Sequence, residues 1–158
     1  MSTVININKQ VEQVIIKCGG DELEIGIPTD DASIDRMVSM VGNAMDRFAS
    51  IQKTIDEATG SGDEDKAAEA TDAMVRLERR VITAIVGEDG YEAILALMSD
   101  DGEQIDPAEN IVNVGEVLAG LVTWLYEHCT SKQLREAGVY VQRQSKSMPK
   151  KRKRKAKR

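Results

Sequence analysis

The spacing of apolar residues along the chain changes period near residue 28. Before it, Val11, Ile15 and Lys17 interleave with Glu12, Val14 and Ile16. After Cys18-Gly19-Gly20-Asp21, Leu23, Ile25 and Ile27 alternate with Glu22, Glu24 and Gly26. Two β-branched runs around a Gly-Gly turn predict a hairpin over about 11–27, its second strand apolar on one face. An isolated hairpin is marginal in water, so this one is expected to lie on helices. Residues 3–8, Thr-Val-Ile-Asn-Ile-Asn, read either as a third strand or as a loose end.

Beyond Pro28-Thr29-Asp30-Asp31, which ends the strand and offers helix caps, the period becomes helical. Ile34, Val38, Val41, Met45, Phe48, Gln52 and Ile55 recur in alternating steps of four and three, and Met37, Ala44 and Ile51 widen the stripe. A stripe this wide suits a bundle better than a two-stranded coiled coil. Thr59 to Asp63 predicts a break, with Ser61 and Glu64 as a capping box for the next helix. That helix carries Ala67, Ala70, Met74, Leu77, Val81 and Ile85, and Gly87 and Gly90 are expected to stop it as left-handed caps. The short connection predicts an antiparallel helical hairpin. Tyr91, Ile94, Leu95 and Met98 predict a short helix. Asp106-Pro107-Ala108-Glu109 predicts the start of a last one, which carries Val114, Val117, Leu118, Leu121, Val122, Trp124 and Leu125. Being apolar around much of its circumference, it is expected to be the central, most buried helix. Ser131 to Ala137 reads as a short helical turn ended by Gly138, and Val139-Tyr140-Val141 as a brief extended piece.

The expected fold is mainly α: a small helical bundle with an N-terminal β-hairpin, spanning 1–141, followed by a disordered basic tail over 142–158. Composition sharpens this. Aromatic residues make up 3% of the 158, so Ala, Val, Ile, Leu and seven Met must build the core. The net charge of −6 hides a division: the last sixteen residues hold ten Lys or Arg and no acid, leaving 11 basic and 27 acidic residues in 1–142, a net −16. The tail has too few apolar side chains to offset the entropy of ordering. Cys18 and Cys129 have no metal-ligand spacing and read as reduced thiols. No apolar run approaches the roughly 20 residues that a bilayer span needs, and the N-terminus lacks the pattern of a secretory signal, so no membrane association is expected.

Catalytic chemistry has little to work with, and the protein is expected not to be an enzyme. His128 is the only histidine, and it lacks a visible nucleophile or metal partner; a surface or capping role suits it better. Gly87-Glu88-Asp89-Gly90 is no phosphate loop, because no Lys-Ser/Thr follows and its acids repel phosphate. Asp63-Glu64-Asp65 lacks the ligand spacing of a calcium loop and suits a helix start. No catalytic, metal or cofactor-binding residue is expected, and no cofactor.

Two binding candidates stand. One is surplus apolar helix surface: Met37, Val41, Met45 and Phe48 on the first helix, and Leu118, Leu121, Trp124 and Leu125 on the last. These residues either cover one another or offer a groove to a partner helix. The other is the tail, Lys150, Lys151, Arg152, Lys153, Arg154 and Lys155. It reads as a weak, nonspecific contact for nucleic acid or an acidic protein, at about 1 kcal/mol or less per exposed contact and salt-sensitive. It also has the composition of a nuclear import signal, or of a solubilising end. Self-association stays open.

The order of parts adds a resemblance. A hairpin leads into an acidic-polar helical hairpin. Val86-Gly87-Glu88-Asp89-Gly90-Tyr91-Glu92-Ala93-Ile94-Leu95 follows, then an acidic spacer and a last apolar helix, Val114 to His128. Over roughly 11–128 this resembles the tail assembly chaperones of long-tailed (siphovirus-type) bacteriophages of Gram-positive bacteria. In that family a Gly-Glu-x-x-x-Glu turn precedes a short apolar helix; Gly87, Glu88 and Glu92 match it. The residues beyond Val141 do not align to the pattern. The resemblance implies a host-cytoplasmic protein, absent from the mature virion, which binds the helical tape measure protein and keeps it soluble until tail tube protein polymerises around it. A longer frameshifted product is common in the family. The alternatives are another small phage morphogenesis or structural tail protein, or a nucleic-acid-associated protein acting through its basic tail.

Overall fold

A computed structural model describes residues 2–4 and 10–129 of the chain. Its elements are β1 (Val11–Cys18), β2 (Asp21–Pro28), α1 (Asp31–Ser61), α2 (Glu64–Leu97) and α3 (Ile111–Glu127). The fold is mainly helical with an N-terminal hairpin. The segment 3–8, read as a third strand or a loose end, falls largely on residues outside those described, and residues 2–4 belong to no regular element. The expected turn over 131–137, the extended piece over 139–141 and the basic tail also lie outside the described residues.

β1 and β2 pair antiparallel around Gly19-Gly20, with Val14 opposite Ile25 and Ile16 opposite Leu23. That register puts Val14 and Ile16 on the same face as Leu23, Ile25 and Ile27, and this face packs on the helical core. Val11 and Ile15 fall on the other face and are exposed. Asp30 then caps α1. Its carboxylate accepts from the Ser33 amide at 3.1 Å and the Ser33 hydroxyl at 2.7 Å. These bonds hold its pKa below the ordinary carboxylate value.

α1 runs 31 residues, about 46 Å at ~1.5 Å per residue. It passes through Gly60 and ends at Gly62, whose φ of 76° and ψ of 15° make the left-handed cap. The expected capping box is replaced. Ser61 is the last residue of α1 and donates to the Ala58 carbonyl, while Asp63 caps α2 by accepting from the Lys66 amide at 3.1 Å. The core takes its α1 members from the first half of the helix, Ile34, Met37, Val38, Val41 and Ala44. Met45, Phe48 and Ile51 are half-buried, so the outer part of the α1–α2 hairpin is an arm less covered than its base.

α2 packs against β2, α1 and α3, which makes it the central helix; the expectation that the last helix holds that place is corrected. α3 buries a single stripe, Val114, Leu118, Leu121 and Leu125, and leaves Val112 exposed. It also starts later than expected. Asp106 Oδ1 accepts from the Ala108 amide at 2.9 Å to close a separate turn, and α3 opens at Ile111 after Asn110.

Gly87 breaks α2 as expected, but with φ 80° and ψ 168°, an extended left-handed geometry and not the αL cap. Gly90 does not cap: it continues the helix, where an added Cβ would sit 2.8 Å from the Val86 Cβ. The expected short helix from Tyr91 is the limb of α2 beyond this kink. Arg79 and Glu88 bridge the two limbs at 3.2 Å. The backbone region of Gly87 is nearly closed to residues with a Cβ, so Gly87→Ala is expected to cost about 1–3 kcal/mol, read from the urea midpoint.

Candidate functional site

The residues expected to contact a partner divide by burial. Met37, Val41, Leu118, Leu121 and Leu125 are core, none more than 9% exposed. Met45, Phe48 and Trp124 are half-buried against the same core. The two stripes therefore face inward and share one cluster with α2, so these five are chiefly core, although Leu121 also lines the cleft between β1 and α3. The apolar periodicity that marked them is what builds the core. Lys150, Lys151, Arg152, Lys153, Arg154 and Lys155 lie outside the described residues.

The accessible apolar surface lies elsewhere. Between β1 and α3 runs an open cleft of about 490 Å³, floored by the end of α2 at Leu97 and Met98. Five consecutive residues of β1, Val14 to Cys18, form one wall, and Asn113, Glu116, Val117, Gly120 and Leu121 form the other. Among the described residues β1 pairs only with β2, and its second edge has no strand partner among them. A wall made of consecutive strand residues presents backbone N–H and C=O groups as well as alternate side chains, the arrangement that accepts an added strand. Periodicity does not reveal such a site, because it forms where two elements fail to close on each other.

The ionisable groups near this region hold structure. His128 Nδ1 meets the Trp124 carbonyl at 2.7 Å, its Nε2 contacts the Glu12 carboxylate, and its ring stacks on Trp124 at 4.4 Å between centroids. The ring thus ends α3 and ties it to the start of β1, in keeping with a capping role. Cys18 and Cys129 are both free thiols. Burial pushes the Cys129 thiol up, and its Sγ donates to the Leu125 carbonyl at 3.2 Å. No group of His, Cys, Asp or Glu with metal-binding geometry occurs among the described residues. No helix among them is long and apolar enough to cross a membrane.

One acid stands apart. Glu78 is 3% exposed in the middle of α2, and its Oε1 has no hydrogen-bond partner. Its Oε2 lies against α3 at Gly115, where an added Cβ would come within 3.2 Å. Burial pushes the Glu78 pKa up to about 7. The buried Tyr91 hydroxyl, also without a partner, is raised by burial; the nearby Arg79 lowers it and Glu78 raises it. The clue in the sequence was position. Met74, Leu77, Glu78, Val81, Ile82 and Ile85 occupy one helical stripe, and Glu78 is its only charge.

Comparison with protein-family models, with curated proteins and with solved structures finds no match for this chain.

The raised carboxyl makes stability depend on pH. Above the ordinary value of 4.5 the unfolded chain ionises Glu78 freely, while the folded chain keeps its proton until about pH 7. Glu78 therefore contributes fully below 4.5, loses that contribution as pH rises through 7, and adds no further slope above it. The shift corresponds to about 3 kcal/mol between those limits. Glu78→Gln is expected to flatten the decline between pH 5 and 7 and to raise stability at pH 8, as read by urea unfolding across that range.

Proposed function

We propose that this protein is a tail assembly chaperone of a long-tailed bacteriophage, binding the tape measure protein in the host cytoplasm and holding it soluble until tail tube protein polymerises around it. The observation that carries the reading is the open cleft between β1 and α3. It is an apolar surface beside a strand edge that has no partner among the described residues, on a molecule whose first 142 residues carry a net −16. Such a surface is suited to covering an exposed apolar segment of a client. The acidic exterior makes complexes repel one another and stay dissolved. Binding of this kind is adaptable: a strand edge accepts many sequences through main-chain hydrogen bonds, so the client is released when tube subunits compete for it.

The matching turn residues support the same reading. Gly87 is at the kink of α2, Glu88 bridges to Arg79, and Glu92 is exposed on the short apolar limb that follows. In the family the short apolar helix follows this turn, and here the limb after Gly87 buries Tyr91, Ile94 and Leu95.

Co-expression tests the proposal. The tape measure protein encoded beside this chain is expected to move from the insoluble to the soluble fraction when the two are made together, and to co-purify. Val117→Lys places a charge in the cleft wall at a half-buried position, and is expected to abolish the gain while the variant itself stays folded. Equal solubility of the client with and without this chain, both being well expressed, would count decisively against the proposal.

A further inference from the structure

The α1–α2 hairpin has a second face. Arg76 and Arg80 each lie two residues from Glu78, about 160° around α2 at ~3.6 residues per turn, so they point away from the side that α3 covers. Two depressions follow one another along the helix seam on that side. Near the base, Arg36 and Met40 of α1 face Ala84 of α2, with Pro28 closing the end. Farther out, Arg47 and Ile51 of α1 face Ala73, Arg76, Leu77 and Arg80 around a space of about 340 Å³. Positions 36, 40, 47 and 51 run antiparallel to 84, 80, 76 and 73, so the two depressions lie in line along one seam, a shallow groove roughly 22 Å long at ~1.5 Å per residue.

Its charge is opposite to that of the body. Four of the eight Lys and Arg residues among those described line this groove, so cations are concentrated here and not scattered. Lys17, Lys53 and Arg79 each reach a carboxylate. Arg47, Arg76 and Arg80 are exposed and reach none among the described residues, although acids are abundant; Asp72, one turn from Arg76, is not within ion-pairing distance. Like charges four residues apart on a helix repel, so the unmatched pair Arg76 and Arg80 costs stability until an anion joins it.

We propose that this groove is a docking site for an acidic amphipathic helix of a protein partner. Carboxylates of the partner meet the guanidinium forks of Arg47, Arg76 and Arg80, and its apolar side chains rest on the half-buried Met40 and Ile51. Charge complementarity selects the occupant, and the seam between two packed helices is shaped to take the ridge of a third. A phosphate chain fits less well. No aromatic side chain lines the groove to stack on bases, and the acidic surface beyond it repels a continuous polyanion. The inference rests on the proposed function only in taking the client to be a helical protein.

The test uses the full chain and a fluorescein-labelled designed peptide, a Leu-striped helix flanked by Glu, with its Gln-for-Glu counterpart as control. Fluorescence anisotropy is expected to show the Glu peptide binding about ten-fold or more tighter than the Gln peptide, the scale of one or two charge-assisted contacts. The double variant R76Q/R80Q loses that difference, and Lys53→Gln, which removes a cation outside the groove, keeps it. Circular dichroism is unchanged in both variants, since all three side chains are exposed. Equal binding of the two peptides overturns the proposal, as does undiminished binding by R76Q/R80Q. Displacement of the peptide by an oligonucleotide makes this a phosphate site. Self-association that R76Q/R80Q abolishes makes a second copy the occupant. Either result also overturns it. If co-expression fails while the Glu peptide binds, the groove stands without the tape measure protein as client. If R76Q/R80Q solubilises that client as well as the unsubstituted chain does, the client stands and the groove is not its contact.

Discussion

Ile34, Val41 and Ala44 of α1 share one nearly water-free cluster with Leu77, Val81 and Ile85 of α2. With so few aromatic rings in the chain, close packing of small and branched aliphatic side chains has to supply the cohesion that large rings give elsewhere. The hairpin of α1 and α2 is therefore the frame on which the other parts rest. β2 lays Ile25 and Ile27 against it, and α3 closes it with Val114, Leu118, Leu121 and Leu125. The cleft and the groove are what this frame leaves uncovered on its two sides.

The elements were legible where a single physical rule decides them. Alternation around Gly19-Gly20 gave the hairpin, and spacing of three and four gave the buried stripes of α1 and α2. The chain proved harder to read where two signals compete. Ser61 and Glu64 have the capping-box spacing, yet Gly62 makes the turn and leaves Asp63 to cap. Gly87 and Gly90 look alike in sequence, yet one carries the positive φ and the other only makes room beside Val86. α3 is apolar on several sides, which suggested a central position; beyond the Val114–Leu125 stripe its apolar side chains are only half-buried, as Val117, Val122 and Trp124 are, or exposed, as Val112 is. The candidate site was the least legible part. Apolar periodicity marks what will be buried, so it singled out core residues such as Val41 and Leu125. The open surfaces depend on which edges and seams stay unpaired after folding.

As proposed binding surfaces, the two would differ in what they recognise. The β1–α3 cleft sets a strand edge beside apolar walls and would discriminate weakly among sequences. The arginine groove sets fixed charges at defined spacing and would discriminate by where a partner carries its acids. Glu78 stands between them, buried under α3. Its unpaired oxygen makes the α2–α3 contact less favourable than an all-aliphatic one, so α3 is held less firmly than its apolar stripe alone suggests.

The link between His128 and Glu12 anchors one end of the cleft. It joins the last turn of α3 to the beginning of β1, and nothing equivalent joins Asn113 to Cys18 at the opposite end. The cleft is thus tied at one end and untied at the other, where Cys18 and Met98 line it. Under the proposed function, a client segment would meet a cleft tied at one end only, which would give its seating a polarity.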